Sequence, residues 1–525
     1  MIYHNSNLSP ASSARSRSAV PHASTFGMEK EMKKHSAILP ALVAVLWALS
    51  VTHSGAAAAD KPNILYILTD DLGYGDVQCL NPDRCKIPTP NIDRFASQGM
   101  TFTDAHAATS VCTPTRYGVM TGRYCWRTKL QSGVVVYGGP TINAERKTVP
   151  SFLRDQGYHT AGFGKWHLGV SYQLPGSDKV DTRHVSNMPI GARIVDGPVE
   201  RGFDHFYHLL LFGNKWTMTE DTKVVHDLKL HELLPRLVER GKDFIAQRAD
   251  SDQPFFMYWA PPVPHIPLAP TPEWRGKSKI GIYGDYVMQM DAAIGELLAA
   301  LDEHGLADNT LVIVTSDNGT APYPPINTHV LEKKGHYASA QYRGYKSDIY
   351  EGGHRIPFFA RWPGKIKAGS VTDQLTCLND LFATVADLTG AELEEDWAED
   401  SVSILPMLLK QEAVDRGPVV HHSLRGRFAV RSGKWKLVFG PGSGGWSQPK
   451  DKEALEDKTL PLMQLYDLEA DPAEQTNLQD KYPEVVEEMT KVMESLISRG
   501  RSTPGPDLEN DKWSRIVLMK DKREP

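Results

Sequence analysis

Four short apolar runs are each followed closely by residues capable of metal-binding, acid–base or nucleophilic chemistry. Asp70-Asp71 follows NILYIL (Asn63–Leu68), and Lys165 with His167 follows the run His159–Phe163. His265 follows FFMYWA (Phe255–Ala260), and Asp317-Asn318 follows LVIVT (Leu311–Thr315). A single aspartate after a strand is ordinarily a helix N-cap or a loop carboxylate. Four such placements in one chain point instead to side chains gathered in the crevice outside the carboxyl ends of a sheet. Asp70, Asp71, Asp317 and Asn318 offer oxygen donors, which suit a hard cation and not zinc, and four protein donors favour calcium over the more hydrated magnesium. Cys112-Thr113-Pro114-Thr115-Arg116 adds a possible nucleophile. Pro114 belongs in the first turn of a helix, which puts Cys112 at a helix N-terminus, where amides and dipole favour an anion.

The elements that must position these groups alternate between strand and helix. Strands are expected at Asn63–Leu68, His159–Phe163, Phe255–Ala260 and Leu311–Thr315. Helices are expected at 90–98 (Thr89 as N-cap, Pro90 first, Gly99 after the end), from Thr148 and Pro150 to before Gly157, at 286–303 before Gly305, and at 375–388 before Gly390. This pattern implies an α/β sheet with helices on both faces. Beyond about Pro418 the character changes to a smaller α+β unit: a hairpin around Ser432-Gly433, a Gly/Ser-rich loop at Gly440–Gly445, a strand near Gln464–Leu468 and a helix over Pro483–Ser498. The division expected is a leader over 1–59, a catalytic domain over 60–417 and a C-terminal subdomain over 418–525. Segments 170–200 and 319–345 read as long insertions of the kind that line substrate sites.

The totals bound the partners. The chain has 525 residues, 41% hydrophobic and 23% charged, with a net charge of -6. That balance argues against a nucleic-acid binder, which carries a basic excess. Met28 opens a charged segment, Ala37–Val51 is apolar, and Ala56–Ala59 is a small-residue stretch before Asp60. This is the layout of a secretory signal cleaved near Ala59, with an uncleaved anchor as the alternative. The apolar run is shorter than the ~20 residues of a membrane span, so a secreted or periplasmic protein without stable membrane association is expected. Of five cysteines, Cys79 and Cys85 are near enough to close a small loop in an exported protein, and an odd count leaves at least one unpaired or special.

Cys112-Thr113-Pro114-Thr115-Arg116 with the later Thr121-Gly122-Arg123 resembles the signature of type I sulfatases, in the alkaline phosphatase superfamily. The likeness extends to LTDDLGYGD around Asp70-Asp71, GKWHLG (Gly164–Gly169), Pro264–Pro267, SDNG (Ser316–Gly319) and RGYKSDIYEGG (Arg343–Gly353), in the family's order from Asn63 to about Gly390. The fold it implies is a large mixed sheet between helices with a smaller C-terminal subdomain on a short antiparallel sheet. It also implies that a dedicated maturation enzyme oxidises Cys112 to formylglycine (3-oxoalanine), whose hydrate is the nucleophile on sulfur. Asp70, Asp71, Asp317, Asn318 and the oxidised Cys112 resemble the ligands of one calcium ion, which would hold the sulfate and acidify the attacking hydroxyl. Arg116 and Lys165 resemble the residues that hold the aldehyde hydrate. Lys346 and His265 resemble the pair that binds sulfate and protonates the leaving alcohol, and His167 the base that restores the aldehyde. Converging cations are what a dianion-like transition state requires.

The activity implied is hydrolysis of sulfate esters, of carbohydrates and small aryl alcohols alike. Two alternatives stand: a phosphatase or phosphonate monoester hydrolase of the same superfamily, and an inactive relative that binds sulfated polysaccharide. His421-His422 reads as packing or surface, and the Phe203–Phe212 cluster as core in preference to a sugar platform. His336 and His354 lie near Lys346 in sequence and are candidates to line the pocket. Exo action on a terminal sugar is expected, with Asn187, Arg193, His329, Tyr337, Gln341 and Tyr342 of the two insertions as sugar-compatible side chains.

Overall fold

The computed structural model describes residues 61–135, 138–182, 188–212 and 215–511. The leader and its cleavage point, and Asn187, lie outside them. Five parallel strands form the centre of a 13-stranded sheet, in the order Thr310–Ser316, Asn63–Thr69, Phe255–Ala260, His159–Gly164, His205–Phe212. Phe358–Arg361 runs antiparallel beside the first of these, and Lys215–Glu220 and Lys223–Lys229 fold back antiparallel beside the last. The sheet is therefore mixed, with a parallel centre covered on both faces, which is why the central runs are apolar throughout.

Alternation along Asn63–Thr69 shows the two layers directly. Ile64, Tyr66 and Leu68 pack with helices Cys112–Thr121, Val149–Asp155 and Leu381–Thr389. Leu65 and Ile67 pack with helices Pro90–Ser97, Leu233–Arg248 and Ile282–Glu303. A second sheet of four antiparallel strands (Val419–His422, Phe428–Ser432, Trp435–Val438, Gln464–Asp467) is covered by the helix Pro483–Ser498 through Met489, Met493 and Leu496. It joins the main layer where the Ser110 N–H donates to the His422 carbonyl, 3.2 Å away.

Several expectations are corrected in detail. Thr148 caps its helix by accepting from the Ser151 N–H, but the Thr89 hydroxyl makes no cap bond, because it accepts from the Gln78 N–H and donates to Asp93. The long helix begins at Ile282, four residues early, because Asp285 ties down the preceding loop through the Gly276 and Ser278 N–H groups. Residues 375–388 are not one helix. Thr376–Cys377 pairs with Ala105–His106, and the helix starts only at Leu381. The segment 170–200 is not plain loop, since Ser171–Gln173, Val180–Asp181 and Arg193–Asp196 extend the sheet edge. All five cysteines are free, with the buried Cys85 thiol donating to the Asp76 and Ile87 carbonyls.

Candidate active site

The carboxyl ends of the central strands open on one cavity of about 450 Å3, lined by Asp70, Cys112, Lys165, His167, His265 and Lys346 among others. Asp71, Asp317, Asn318 and Arg116 are fully buried and join it through hydrogen bonds. Parallel pairing aligns Thr69 with Ser316, so the two acidic pairs leave adjacent strand ends side by side. The Asp317 N–H donates to the Thr69 carbonyl (3.1 Å), the Asp71 N–H to Asp317 Oδ1 (3.2 Å), and Asn318 Nδ2 to Asp71 Oδ1 (2.7 Å). Cys112, which lines the cavity, is the first residue of a helix buried along its whole length, and the positive end of that helix favours an anion beside it.

Every carboxylate of this centre carries a cation. Lys165 Nζ sits 2.7 and 2.9 Å from the two oxygens of Asp70, and Lys346 Nζ bonds Asp71 Oδ1 and lies 3.4 Å from Cys112 Sγ. Arg116 donates twice to Asp317 Oδ2, at 2.7 and 3.0 Å, and its other nitrogen reaches the Tyr258 hydroxyl. Two oxygens are left over: Asp71 Oδ2 and Asn318 Oδ1 are buried with no hydrogen-bond partner. Unpartnered buried oxygens are costly unless something positive meets them. Asp70, Asp71, Cys112 and His265 also bring ligand atoms within 4.8 Å of one another. An oxygen-rich set with two orphaned acceptors fits a hard divalent cation. Some backbone strain is held here as well: Asp71 (φ 67°), His167 (φ 58°) and Ser347 (φ 82°), next to Lys346, occupy the left-handed region.

The electrostatics follow from burial opposed by these pairs. Burial alone would raise the Asp70 carboxyl, but Lys165, His265, Arg116 and Lys346 hold it well below the usual carboxylate range. Burial and the neighbouring Asp70 push Asp317 up to about 6 despite Arg116. The Cys112 thiol is pushed up to about 11 by burial, against the pull of Lys165 and Lys346, so the unmodified side chain is a protonated, poor nucleophile. Burial, then Lys165 and Arg116, hold His167 well below its ordinary value, and His167 Nδ1 has no partner. His265 is lowered by burial; its Nδ1 bonds the Ile266 carbonyl and its Nε2 stands 3.8 Å from Asp71 Oδ2.

All ten residues singled out for the centre thus come together. The proposed pocket-lining residues do not. His336 is buried against Asp76 (2.8 Å), and His354 is buried beneath the second sheet, 3.0 Å from His106 and stacked on His421. His421 and His422 are accordingly core, not surface. Arg193, His329, Tyr337, Gln341 and Tyr342 do not line the cavity. His329 is exposed beside Glu332, and Tyr342 packs edge-on against Tyr74 while bonding Arg355. The wall instead includes Tyr323, from the 319–345 insertion expected there, His208 and Leu209, from the Phe203–Phe212 cluster read as core, and Trp216 and Trp446, which were not singled out. Trp446 carried one faint signal, a lone tryptophan directly after a Gly/Ser-rich loop.

The chain is similar to known proteins over most of its length. The family model Sulfatase matches residues 62–391, and the model for the C-terminal region of aryl-sulfatase matches 415–505. The chain is similar to N-acetylgalactosamine-6-O-sulfatase of Bacteroides thetaiotaomicron, 32% identical over 89% of this chain and 100% of the relative. It is similar to human arylsulfatase A, 34% identical over 81% of this chain and 85% of the relative. A solved Bacteroides thetaiotaomicron sulfatase, described under the metabolism of multiple glycosaminoglycans, superposes with a TM-score of 0.71. That pair is 30% identical over 83% of this chain and 99% of the other.

Proposed function

This chain belongs to the sulfatase family and is a sulfuric ester hydrolase, and from that premise we propose that it cleaves sulfate esters of carbohydrates and small aryl alcohols with an oxidised Cys112 and one calcium ion. The observation that carries the reading is the convergence, on one cavity floor, of two acidic strand ends, a cysteine at a buried helix N-terminus and two lysines. Asp70, Asp71, Asp317, Asn318 and the modified Cys112 would hold the metal. When present, the calcium neutralises the sulfate and acidifies the attacking hydroxyl, and the formylglycine hydrate supplies that hydroxyl, which a thiol cannot do.

The chain's own groups account for the remaining work. Lys165 and Lys346 flank Cys112 and counter the negative charge of a sulfate placed there. Arg116, on the second turn of the Cys112 helix, is locked by Asp317 and Tyr258 and ties that helix to the acidic strand end. The Ile266 carbonyl holds the hydrogen of His265 on Nδ1, leaving Nε2 toward the centre. Nε2 must gain a proton before it can donate one to the leaving alcohol, and the incoming anion favours that gain. His167, held neutral by burial and two nearby cations, lines the cavity with an unpartnered Nδ1, so the ring is unprotonated when the aldehyde is to be restored.

Relatives named for N-acetylgalactosamine sulfates support carbohydrate esters. Export through the 1–59 leader, maturation by a formylglycine-generating enzyme, and a boundary near 417 between catalytic and C-terminal parts belong to the same proposal. No helix among the described residues is long and apolar enough to cross a membrane. Turnover of 4-nitrophenyl sulfate against 4-nitrophenyl phosphate by purified protein tests the reading: sulfate is expected to be preferred by orders of magnitude, and a preference for phosphate would replace it with the phosphatase alternative.

A further inference from the structure

Asp348 lies two residues beyond Lys346 and is fully buried. Its Oδ1 accepts the N–H groups of Trp446 (2.8 Å) and Ser447 (2.9 Å), and its Oδ2 accepts the Tyr345 N–H (2.9 Å) and the Ser447 hydroxyl. Ser347 Oγ accepts from the same Trp446 N–H, the Leu424 N–H donates to the Ser347 carbonyl, and the Ile349 N–H donates to the Ser443 carbonyl. The C-terminal loop therefore docks along the backbone that carries Lys346. Gly445 makes the approach possible: a Cβ there would stand 2.4 Å from Asp348 Oδ1 and 2.5 Å from the Ser347 carbonyl oxygen.

The product of this docking is Trp446, a half-buried indole packed edge-to-face on Tyr323, with ring centroids 5.1 Å apart at 78°. Both rings line the same cavity as Cys112 and Lys346. Val134, Val135, Leu209, Leu210 and Trp216 continue that wall. Aromatic faces hold the apolar faces of rings, whereas a second charged group on the alcohol would lose its hydration against such a wall.

We propose that Trp446, clamped by Asp348, is a specificity-determining residue on which the ring of the alcohol is laid, and that it selects sulfate esters of flat-faced alcohols bearing no second anion. Trp446 is the contact and Asp348 a positioning residue. The proposal rests on the sulfate-ester reading above and names the substrate class of that same site.

Steady-state kinetics on 4-nitrophenyl sulfate, N-acetylgalactosamine 6-sulfate and N-acetylgalactosamine 4,6-disulfate test it. The disulfate should be the poorest substrate by KM. Trp446→Ala should raise KM for the two monosulfates about tenfold with a smaller change in kcat, and Trp446→Phe should recover most of the loss. If Trp446→Ala does not accumulate as folded protein, Trp446→Leu keeps apolar volume without the ring and should show the same KM rise. Asp348→Asn should also raise KM, and that rise should shrink in the Trp446→Ala background, because both changes act through one contact. An active wild type whose KM is unmoved by loss of the indole, or which takes the disulfate equally well, overturns this proposal alone. A wild type that turns over none of the three esters overturns the sulfate-ester reading, and this proposal falls with it.

Discussion

At the scale of single residues, the centre balances buried acids against buried cations, so removing one member exposes the charge of another. Asp317 shows this most clearly, since it neutralises Arg116 and stands beside the orphaned oxygens of Asp71 and Asn318. Asp317→Asn should lower bound calcium below one per chain and reduce kcat/KM by about 10²–10³-fold, the scale of losing a charge-stabilising group. Plasma emission analysis beside aryl sulfate turnover checks both, and unchanged metal content with full activity would count against the ligand set. These acids were legible in the sequence because an aspartate just beyond an apolar run is a local pattern. Tyr258, which bonds Arg116, was hidden inside a run that reads as plain core, and no spacing marks it. His336 and His354 misled for the opposite reason: nearness to Lys346 along the chain does not fix which layer a side chain enters. His354 is turned under the second sheet by the helix turn Glu351–His354.

At the scale of elements, the Cys112 helix is held by contacts that its own periodicity does not reveal. Gly118 faces Asn379 so closely that a Cβ would stand 2.0 Å from Asn379 Oδ1. On helix propensity alone Gly118→Ala would stabilise by about 1 kcal/mol. Overpacking in a buried helix costs about 1–3 kcal/mol, so the net effect should be a lower Tm, and Asn379→Ala in the same chain should restore part of it. Calorimetry on the two variants decides which effect wins. Asn379 lies in the segment that the sequence presents as one continuous helix from 375 to 388. The apolar spacing there is helical, but Thr376–Cys377 is claimed by the strand partner Ala105–His106 and Asp380 accepts the Cys377 and Val402 N–H groups. Strand–helix alternation was readable wherever one element supplied its own pattern. It was not readable where a partner distant in sequence decided the outcome.

At the scale of the whole molecule, buried histidines join the layers and set an acid limit on stability. His106 and His422 are each lowered by burial to about 4, and His354 and His421 lie well below the ordinary value. Between pH 6.5 and about 4 the unfolded chain binds protons at these positions and the folded chain does not, so stability is complete above 6.5 and declines as pH falls. One imidazole lowered from 6.5 to about 4 corresponds to roughly 3 kcal/mol at the acid end. Tm should therefore drop from pH 7 to pH 5, and His422→Asn should narrow the difference; a Tm that rises on acidification would refute this. Exported protein should begin close to Asp60, which N-terminal sequencing reads directly, and a product that retains 37–51 would favour the anchor instead. The two-part architecture was legible from the change of pattern near Pro418, but the way the second part reaches back to the cavity through Trp446 depends on Asp348 and Gly445 and left no periodic trace. The central claim, sulfate ester hydrolysis through an oxidised Cys112, is tested most directly by mass spectrometry of the tryptic peptide Phe95–Arg116 from protein of measured arylsulfatase activity. The peptide should have lost the mass of hydrogen sulfide, gained that of one oxygen and become reactive to hydrazides, in proportion to activity. Full activity in protein whose Cys112 retains its thiol would contradict the account.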